Sequence, residues 1–117
     1  MAKYQLAHFA SAQGICAVEM IAGKEPTIDL NAVPDCVYTD PEIASVGMTE
    51  DQAKEAGIPV KKGKYLMSGN GKSIIEQSDR GFIKFVFIAE TNVIIGSLLM
   101  CCRATDLISE FATAIVN

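Results

Sequence analysis

Residues 82–88 and 93–100 constrain the fold of this chain more than any other segment. In the first run, Ile83, Phe85 and Phe87 alternate with Phe82, Lys84, Val86 and Ile88. That is the two-residue period of a β-strand. Ala89-Glu90-Thr91-Asn92 separates the runs and has the length of a hairpin loop. Both faces of the pair are largely apolar, which predicts a central position in a sheet with cover on each side.

The rest of the chain supplies partners for this hairpin. Residues 36–39 and 44–48 are short strand candidates separated by Asp40-Pro41-Glu42, whose proline is expected to break any ladder there. Residues 60–67 predict another strand. Ser68-Gly69-Asn70-Gly71 reads as a turn or bulge, and residues 73–77 as a weaker strand. A helix is expected over residues 4–22, where Leu6, Phe9, Ala10, Gln13, Ala17, Met20 and Ile21 recur at helical spacing and Gly23 can end it. Gly14 inside it costs roughly 1 kcal/mol against alanine, which a close neighbouring backbone would explain.

A linker punctuated by Pro26, Asn31 and Pro34 follows. Thr49 and Gln52 have the spacing of a capping box, Glu50 and Asp51 favour the helix start behind it, and Gly57 and Pro59 end that helix. A last helix is expected over residues 105–116, with Leu107, Ile108, Phe111, Ala112 and Ile115 as its apolar stripe. Its pattern still runs at Asn117, so truncation is expected. The predicted order is α, β, β, α, β, β, β, β, α. Hairpins dominate it, which predicts an α+β fold: a mostly antiparallel sheet of about five strands with helices packed on it.

Composition narrows the function. The 117 residues make one domain, too short for a dinucleotide-binding domain plus a substrate domain. Ten basic against fourteen acidic residues give a net charge of −4, which argues against nucleic acid and against a polybasic membrane mode. The longest uncharged stretches, residues 4–18 and 91–102, are too short or too polar to span a bilayer. Gln5, His8 and Gln13 interrupt the apolar N-terminal stretch, so no signal peptide is expected and a cytoplasmic location is.

Candidate chemistry is sparse. Cys16, Cys36, Cys101 and Cys102 include no CxxC pair, and with His8 as the one histidine no zinc spacing exists. The four are expected to be small buried hydrophobes, with Cys101 and Cys102 pointing to opposite faces of a strand. The run Ser68–Ser73 resembles the tail of a phosphate-binding loop. Leu66 stands where the motif needs its first glycine, and residues 74–78 read as strand and turn rather than helix. Asp40 and Glu42 are expected to be a polar turn rather than a pair of glycosidase acids. There is no GxGxxG and no Ser-His-Asp motif. The residues describe a folded module without its own catalytic centre.

The run Val33-Pro34-Asp35-Cys36-Val37-Tyr38-Thr39-Asp40-Pro41-Glu42-Ile43-Ala44-Ser45-Val46-Gly47 resembles the start of the C-terminal interface domain of FAD-dependent disulfide oxidoreductases. It most resembles the dihydrolipoamide dehydrogenase family, where P-x-x-x-[YF]-T-x-P-E-[IV]-A-x-V-G is typical. Gly81-Phe82-Ile83-Lys84, Ile94-Ile95-Gly96 and Leu107-Ile108-Ser109-Glu110 extend the likeness. Gln5-Leu6-Ala7-His8 with Ala10 and Gly14 is similar to the last helix of the family's flavin domain. The likeness spans nearly the whole chain. Its Thr39–Gly47 run is specific, and the helix matches alone would be weak.

The resemblance implies a dimerisation domain over residues 25–117, preceded over residues 1–24 by one flavin-domain helix. The parent would oxidise dihydrolipoamide through a redox disulfide, FAD and NAD, as a homodimer with a lipoyl-bearing protein as partner. Leu6, Ala7, His8 and Tyr38 are the positions it places near flavin, mainly by backbone and packing contact. The family's GxGxxG and CxxxxC lie upstream, and its H-P-x-x-x-E pair follows the last helix, so no cofactor is expected on this chain alone. Cys101-Cys102-Arg103 stands where the family often has Gly-Pro-x, Asp106 replaces a glutamate, and the two cysteines do not correspond to the redox pair. A mercuric or glutathione reductase parent, or a stand-alone binding module, are the alternatives.

Overall fold

The computed structural model describes residues 6–117. Tyr4 and Gln5, the first residues of the expected N-terminal helix, lie outside them. Helix α1 (Ala7–Ile21) is followed by a 3-10 turn (Leu30–Ala32) and strands β1 (Asp35–Val37) and β2 (Glu42–Gly47). Then come α2 (Glu50–Glu55), β3 (Val60–Leu66), a second 3-10 turn (Met67–Gly69) and α3 (Gly71–Ile75). Strands β4 (Phe82–Ile88) and β5 (Ile94–Cys101) precede the last helix, α4 (Ala104–Val116). The five strands form one antiparallel sheet in the order β1-β2-β5-β4-β3. The apolar hairpin β4–β5 lies inside the sheet, with β5 at its centre, and the fold is the expected α+β layer.

Two expected local features differ. Residues 73–77 are not a strand: Asn70 accepts the Ser73 backbone N–H at 2.9 Å and caps α3. A short helix with a side-chain cap wins there over the apolar pair Ile74-Ile75, which has no neighbouring strand and stays exposed. Pro41 does not break the ladder either. It lies in the connection, joined by a cis Asp40–Pro41 peptide, and β1 pairs with β2 from Asp35↔Ser45 to Val37↔Ile43. Outside the ladder a proline forfeits no inter-strand hydrogen bond.

One face of the sheet is covered by α4. Ala44 and Val46 of β2, Leu99 and Cys101 of β5, and Ala104 and Ile108 of α4 form the buried core, with Ile83, Phe111, Ala112 and Ile115 against it. The Phe85 ring meets Phe111 at 5.3 Å between centroids. Leu107 lies at the exposed margin of the stripe.

Cover on the opposite face is partial, against the expectation from two apolar strand faces. There α2 stands at one end, and its Glu50 pairs with Lys84 of β4 and with Lys62 of β3 at 3.3 Å. The far end of that face keeps Ile43 and Leu66 exposed.

Close backbone approach explains three glycines. Gly47 and Gly96 are cross-strand partners. The Met48 N–H reaches back to the Ile95 carbonyl at 2.7 Å, beside the irregular register at Val86/Phe87. A Cβ on Gly96 would stand 1.9 Å from the Met48 carbonyl oxygen. Gly81 has φ +123°, and a Cβ there would lie 1.8 Å from the Met100 carbonyl oxygen. Gly14 has no such neighbour among the described residues, where the expected close contact is not found.

The buried stripe of α1 is Phe9, Ala12 and Cys16. Of the expected stripe, Ala10, Ala17, Met20 and Ile21 face outward. An almost uncharged helix has two apolar faces, and periodicity alone does not say which one meets the domain.

Candidate functional site

The four positions that resemblance places near flavin fall at two ends of one polar connection. Leu6 is half-buried and precedes α1 in extended conformation without a side-chain cap, and its carbonyl accepts the Ala10 N–H at 2.9 Å. Ala7 opens the helix exposed, and its carbonyl accepts the Ser11 hydroxyl at 3.1 Å. His8 is exposed, and its Nε2–H donates to the Pro34 carbonyl at 2.7 Å. A carbonyl can only accept, so this contact fixes the proton on Nε2. Tyr38 follows β1 and is 78% exposed.

His8 is one rung of a ladder. The linker runs back along α1: the Cys16 thiol meets the Ile28 carbonyl at 3.5 Å, and Glu19 accepts the Thr27 N–H at 2.9 Å and its hydroxyl at 2.8 Å. Side chains at 8, 16 and 19 thus meet residues 34, 28 and 27, an antiparallel pairing of helix and linker. The structure ties Leu6, Ala7 and His8 to the head of β1. Tyr38 lies at the other end of that strand, about 13 Å of extended chain from Pro34.

The exposed loop after Tyr38 is closed by the Thr39 hydroxyl donating to the Pro41 carbonyl at 2.8 Å. Asp40 is exposed in this turn, while Glu42 does more than a polar turn requires. Its Oε2 accepts both the N–H and the hydroxyl of Thr105. The Thr105 hydroxyl, then its N–H, then the charge of Arg103 hold the Glu42 carboxyl below its usual range. Sequence reasoning missed this role, because 63 residues separate the partners.

The cysteines are all free. Cys16 and Cys101 are buried, Cys36 is half-buried and Cys102 is exposed, so only part of the set behaves as core. The expected alternation along one strand does not apply, because β5 ends at buried Cys101 and exposed Cys102 lies in the turn after it. Burial raises the Cys101 thiol, with Cys102 and Glu42 adding to it, and burial also raises Cys36. Raised thiols are poor nucleophiles at neutral pH. Among the described residues no group of three His, Cys, Asp or Glu side chains gathers to hold a metal. No helix of the described residues is long and apolar enough to cross a membrane.

The phosphate-loop resemblance fails at Leu66 as expected, and at the helix for a different reason than expected. A helix does follow Gly71, against expectation, but it is only five residues long and Asn70 already occupies its Ser73 N–H. A cleft of about 410 Å³ lies where the first 3-10 turn, the end of β2, the start of β5 and the end of α4 meet. Leu30, Val33, Met48, Ile95 and Ile115 line it together with the polar Asn31 and Asp35. It holds no histidine, cysteine or lysine, so it offers no nucleophile–base pair.

The family model described as "Pyridine nucleotide-disulphide oxidoreductase, dimerisation domain" matches residues 33–117, from the end of the first 3-10 turn through α4. The chain belongs to this family. The chain is 45% identical to a dihydrolipoyl dehydrogenase of Bacillus subtilis over 111 residues, covering 94% of this chain and 23% of that protein. It is 40% identical to a dihydrolipoyl dehydrogenase of Synechocystis over 119 residues, covering 98% and 25%. The crystal structure of LpdA from Mycobacterium tuberculosis superposes with a TM-score of 0.85 at 27% identity, covering all of this chain and 26% of that one.

The domain therefore spans about a quarter of the length of these relatives. It is a dimerisation domain of the pyridine nucleotide-disulphide oxidoreductase family that resembles the corresponding quarter of dihydrolipoyl dehydrogenases, as the Thr39–Gly47 run implied.

Proposed function

We propose that this domain serves a homodimeric, cytoplasmic dihydrolipoyl dehydrogenase, which oxidises the dihydrolipoyl group of a partner protein with NAD as final acceptor. The observation that carries this reading is the 45% identity with a dihydrolipoyl dehydrogenase over 94% of the chain, which takes in α1 as well as the sheet. Residues 1–24 belong, on this reading, to the preceding flavin domain. Two observations support that: the family match begins at residue 33, and α1 shows an uncharged outward face of Ala7, Ser11, Gly14, Val18 and Ile21. The net charge of −4 supports a partner other than nucleic acid or membrane.

The residues present suit an edge of FAD. The start of α1 has no side-chain cap at Leu6, and a helix start offers N–H groups and partial positive charge to an electron-rich edge. The His8 ring is held by its Nε2–H on the Pro34 carbonyl. Tyr38 offers an exposed ring and hydroxyl. When bound, FAD supplies the two-electron step between dithiol and nicotinamide. The chain's own residues position and enclose: α1 and Tyr38 line the site, and α4 with the sheet holds them in register.

The test compares the 117-residue chain with the enzyme translated from its whole gene. The whole enzyme is expected to carry flavin and form NADH from dihydrolipoamide. The 117-residue chain is expected to be colourless and inactive. Turnover of glutathione disulfide or mercuric ion by the whole enzyme, in place of dihydrolipoamide, overturns the substrate assignment. Flavin bound one per chain by the 117 residues overturns the division of labour.

A further inference from the structure

The cleft beside the first 3-10 turn exists because β1 is short. Its ladder with β2 ends at Asp35↔Ser45, so Val46 and Gly47 of β2 have no strand beside them on that edge. Leu30 and Val33 of the linker, Ile95 of β5 and Ile115 near the end of α4 wall the gap with apolar side chains. Its volume of about 410 Å³ lies in the range of small-molecule pockets. A cavity of about 150 Å³ already holds a benzene ring, so this one has room for a ring and a short chain.

The polar groups of the lining lack donors. Asp35 and Ser45 are directly opposed across the ladder, which sets their Cβ atoms about 5 Å apart. Both are half-buried, and no described residue hydrogen-bonds or ion-pairs with either side chain. The Asn31 amide nitrogen donates to Asp29 at 3.1 Å, which leaves Asn31 Oδ1 as an open acceptor. Gln52 is engaged elsewhere, because its Oε1 accepts the Thr49 N–H. The lining holds no lysine, arginine or histidine. A carboxylate, a hydroxyl and an amide oxygen thus line one apolar cleft without a cation to meet them.

An ammonium group carries three N–H donors and a positive charge, so it can satisfy all three oxygens at once. Its bond to a carboxylate is charge-assisted and roughly twice as strong as a neutral one. A neutral apolar molecule would strip water from Asp35 and return no partner, and an anion would meet a like charge.

We propose that this cleft binds a small primary amine, with its ammonium group between Asp35, Ser45 and Asn31 and its apolar body against Leu30, Ile95 and Ile115. The site uses none of the residues placed near FAD, and it does not depend on how the domain associates. The occupant is a free amine rather than a lysine of another protein, because the walled space is wider than a single four-carbon stem fills.

The experiment is an NMR titration of the isotope-labelled chain with phenethylamine, with phenethyl alcohol and hydrocinnamate as neutral and anionic controls. Saturable shifts are expected at Asp35, Ile95 and Ile115, and the alcohol and the anion are each expected to bind at least about tenfold more weakly. Asp35→Asn is expected to weaken the amine about tenfold and to leave the alcohol unchanged. Asp51→Asn, at an exposed acid of α2 outside the cleft, is expected to change nothing. Circular dichroism confirms that both variants fold. Equal binding of amine and alcohol overturns the charged seat without any variant. Amine binding that survives Asp35→Asn unchanged, shifts confined to surfaces outside the cleft, or no saturable shift at all overturns the site. Binding of acetyl-lysine amide as tight as that of phenethylamine overturns the assignment to a free amine.

Discussion

One oxygen of Glu42 holds the start of the last helix. Its Oε2 accepts the Thr105 N–H at 2.9 Å and the Thr105 hydroxyl at 2.7 Å, joining the first residue of β2 to the first turn of α4. A carboxylate at a helix start also meets the positive end of the helix dipole. Glu42→Gln should cost about 1–2 kcal/mol at neutral pH, the scale of charged hydrogen bonds discounted for partial solvent access. The folded carboxyl titrates below its ordinary range. Its stabilisation is therefore full above the unfolded value and is lost as pH falls through the folded one. Denaturant titrations at neutral and acid pH should show the Gln variant losing less stability on acidification than the wild type.

Gly96 and Gly14 should respond to alanine in opposite directions. At Gly96 the new Cβ would stand 1.9 Å from a backbone oxygen, so Gly96→Ala should cost roughly 3 kcal/mol or more. At Gly14 no described residue would lie within 4 Å of the new Cβ, and alanine in a helix interior is expected to gain up to about 1 kcal/mol. Urea unfolding of the two variants measures both.

His8 ties α1 to the head of β1 through the Pro34 carbonyl. Replacing it by alanine should raise amide exchange in α1 and the linker and leave β4 and β5 protected, because the sheet core does not use that contact. Faster exchange spread evenly over the sheet would contradict a local tether.

The four thiols should separate by access. Cys102 is exposed and should react first with a thiol reagent, whereas Cys16 and Cys101 are buried and Cys101 is further protected by its raised thiol. Mass spectrometry of a timed alkylation gives the order. Early labelling of Cys101 would place that strand end in solvent.

Much of this architecture is legible in local pattern. The Thr49–Gln52 capping box forms with both bonds, the Gln52 N–H to the Thr49 hydroxyl at 3.2 Å and the Thr49 N–H to Gln52 Oε1 at 2.9 Å. Gly23 and Gly57 end their helices with φ of +71°. These devices act within five residues, so sequence spacing contains them. The α3 helix escaped because its signal is one asparagine cap next to a β-branched pair. The true inner face of α1 escaped because both of its faces are apolar. Of the candidate site, Leu6, Ala7, His8 and Tyr38 were reached through resemblance, while the Pro34 carbonyl and Glu42 were not. A backbone acceptor 26 residues from its donor leaves no trace in composition or period.

The sequence by itself determined the strand periods, the helix caps, the net charge and the family signature, since each depends on neighbours a few bonds away. It also marked Gly47, Gly81 and Gly96 as motif residues without saying why. Only the tertiary structure supplied the reason: at Gly81 and Gly96 a second backbone passes where a Cβ would be, and at Gly47 the φ of +76° adds its own demand. It likewise decided which sheet face α4 covers and which row of side chains it leaves open. Register across five strands is a long-range property, set when the strands pair, and no single segment encodes it.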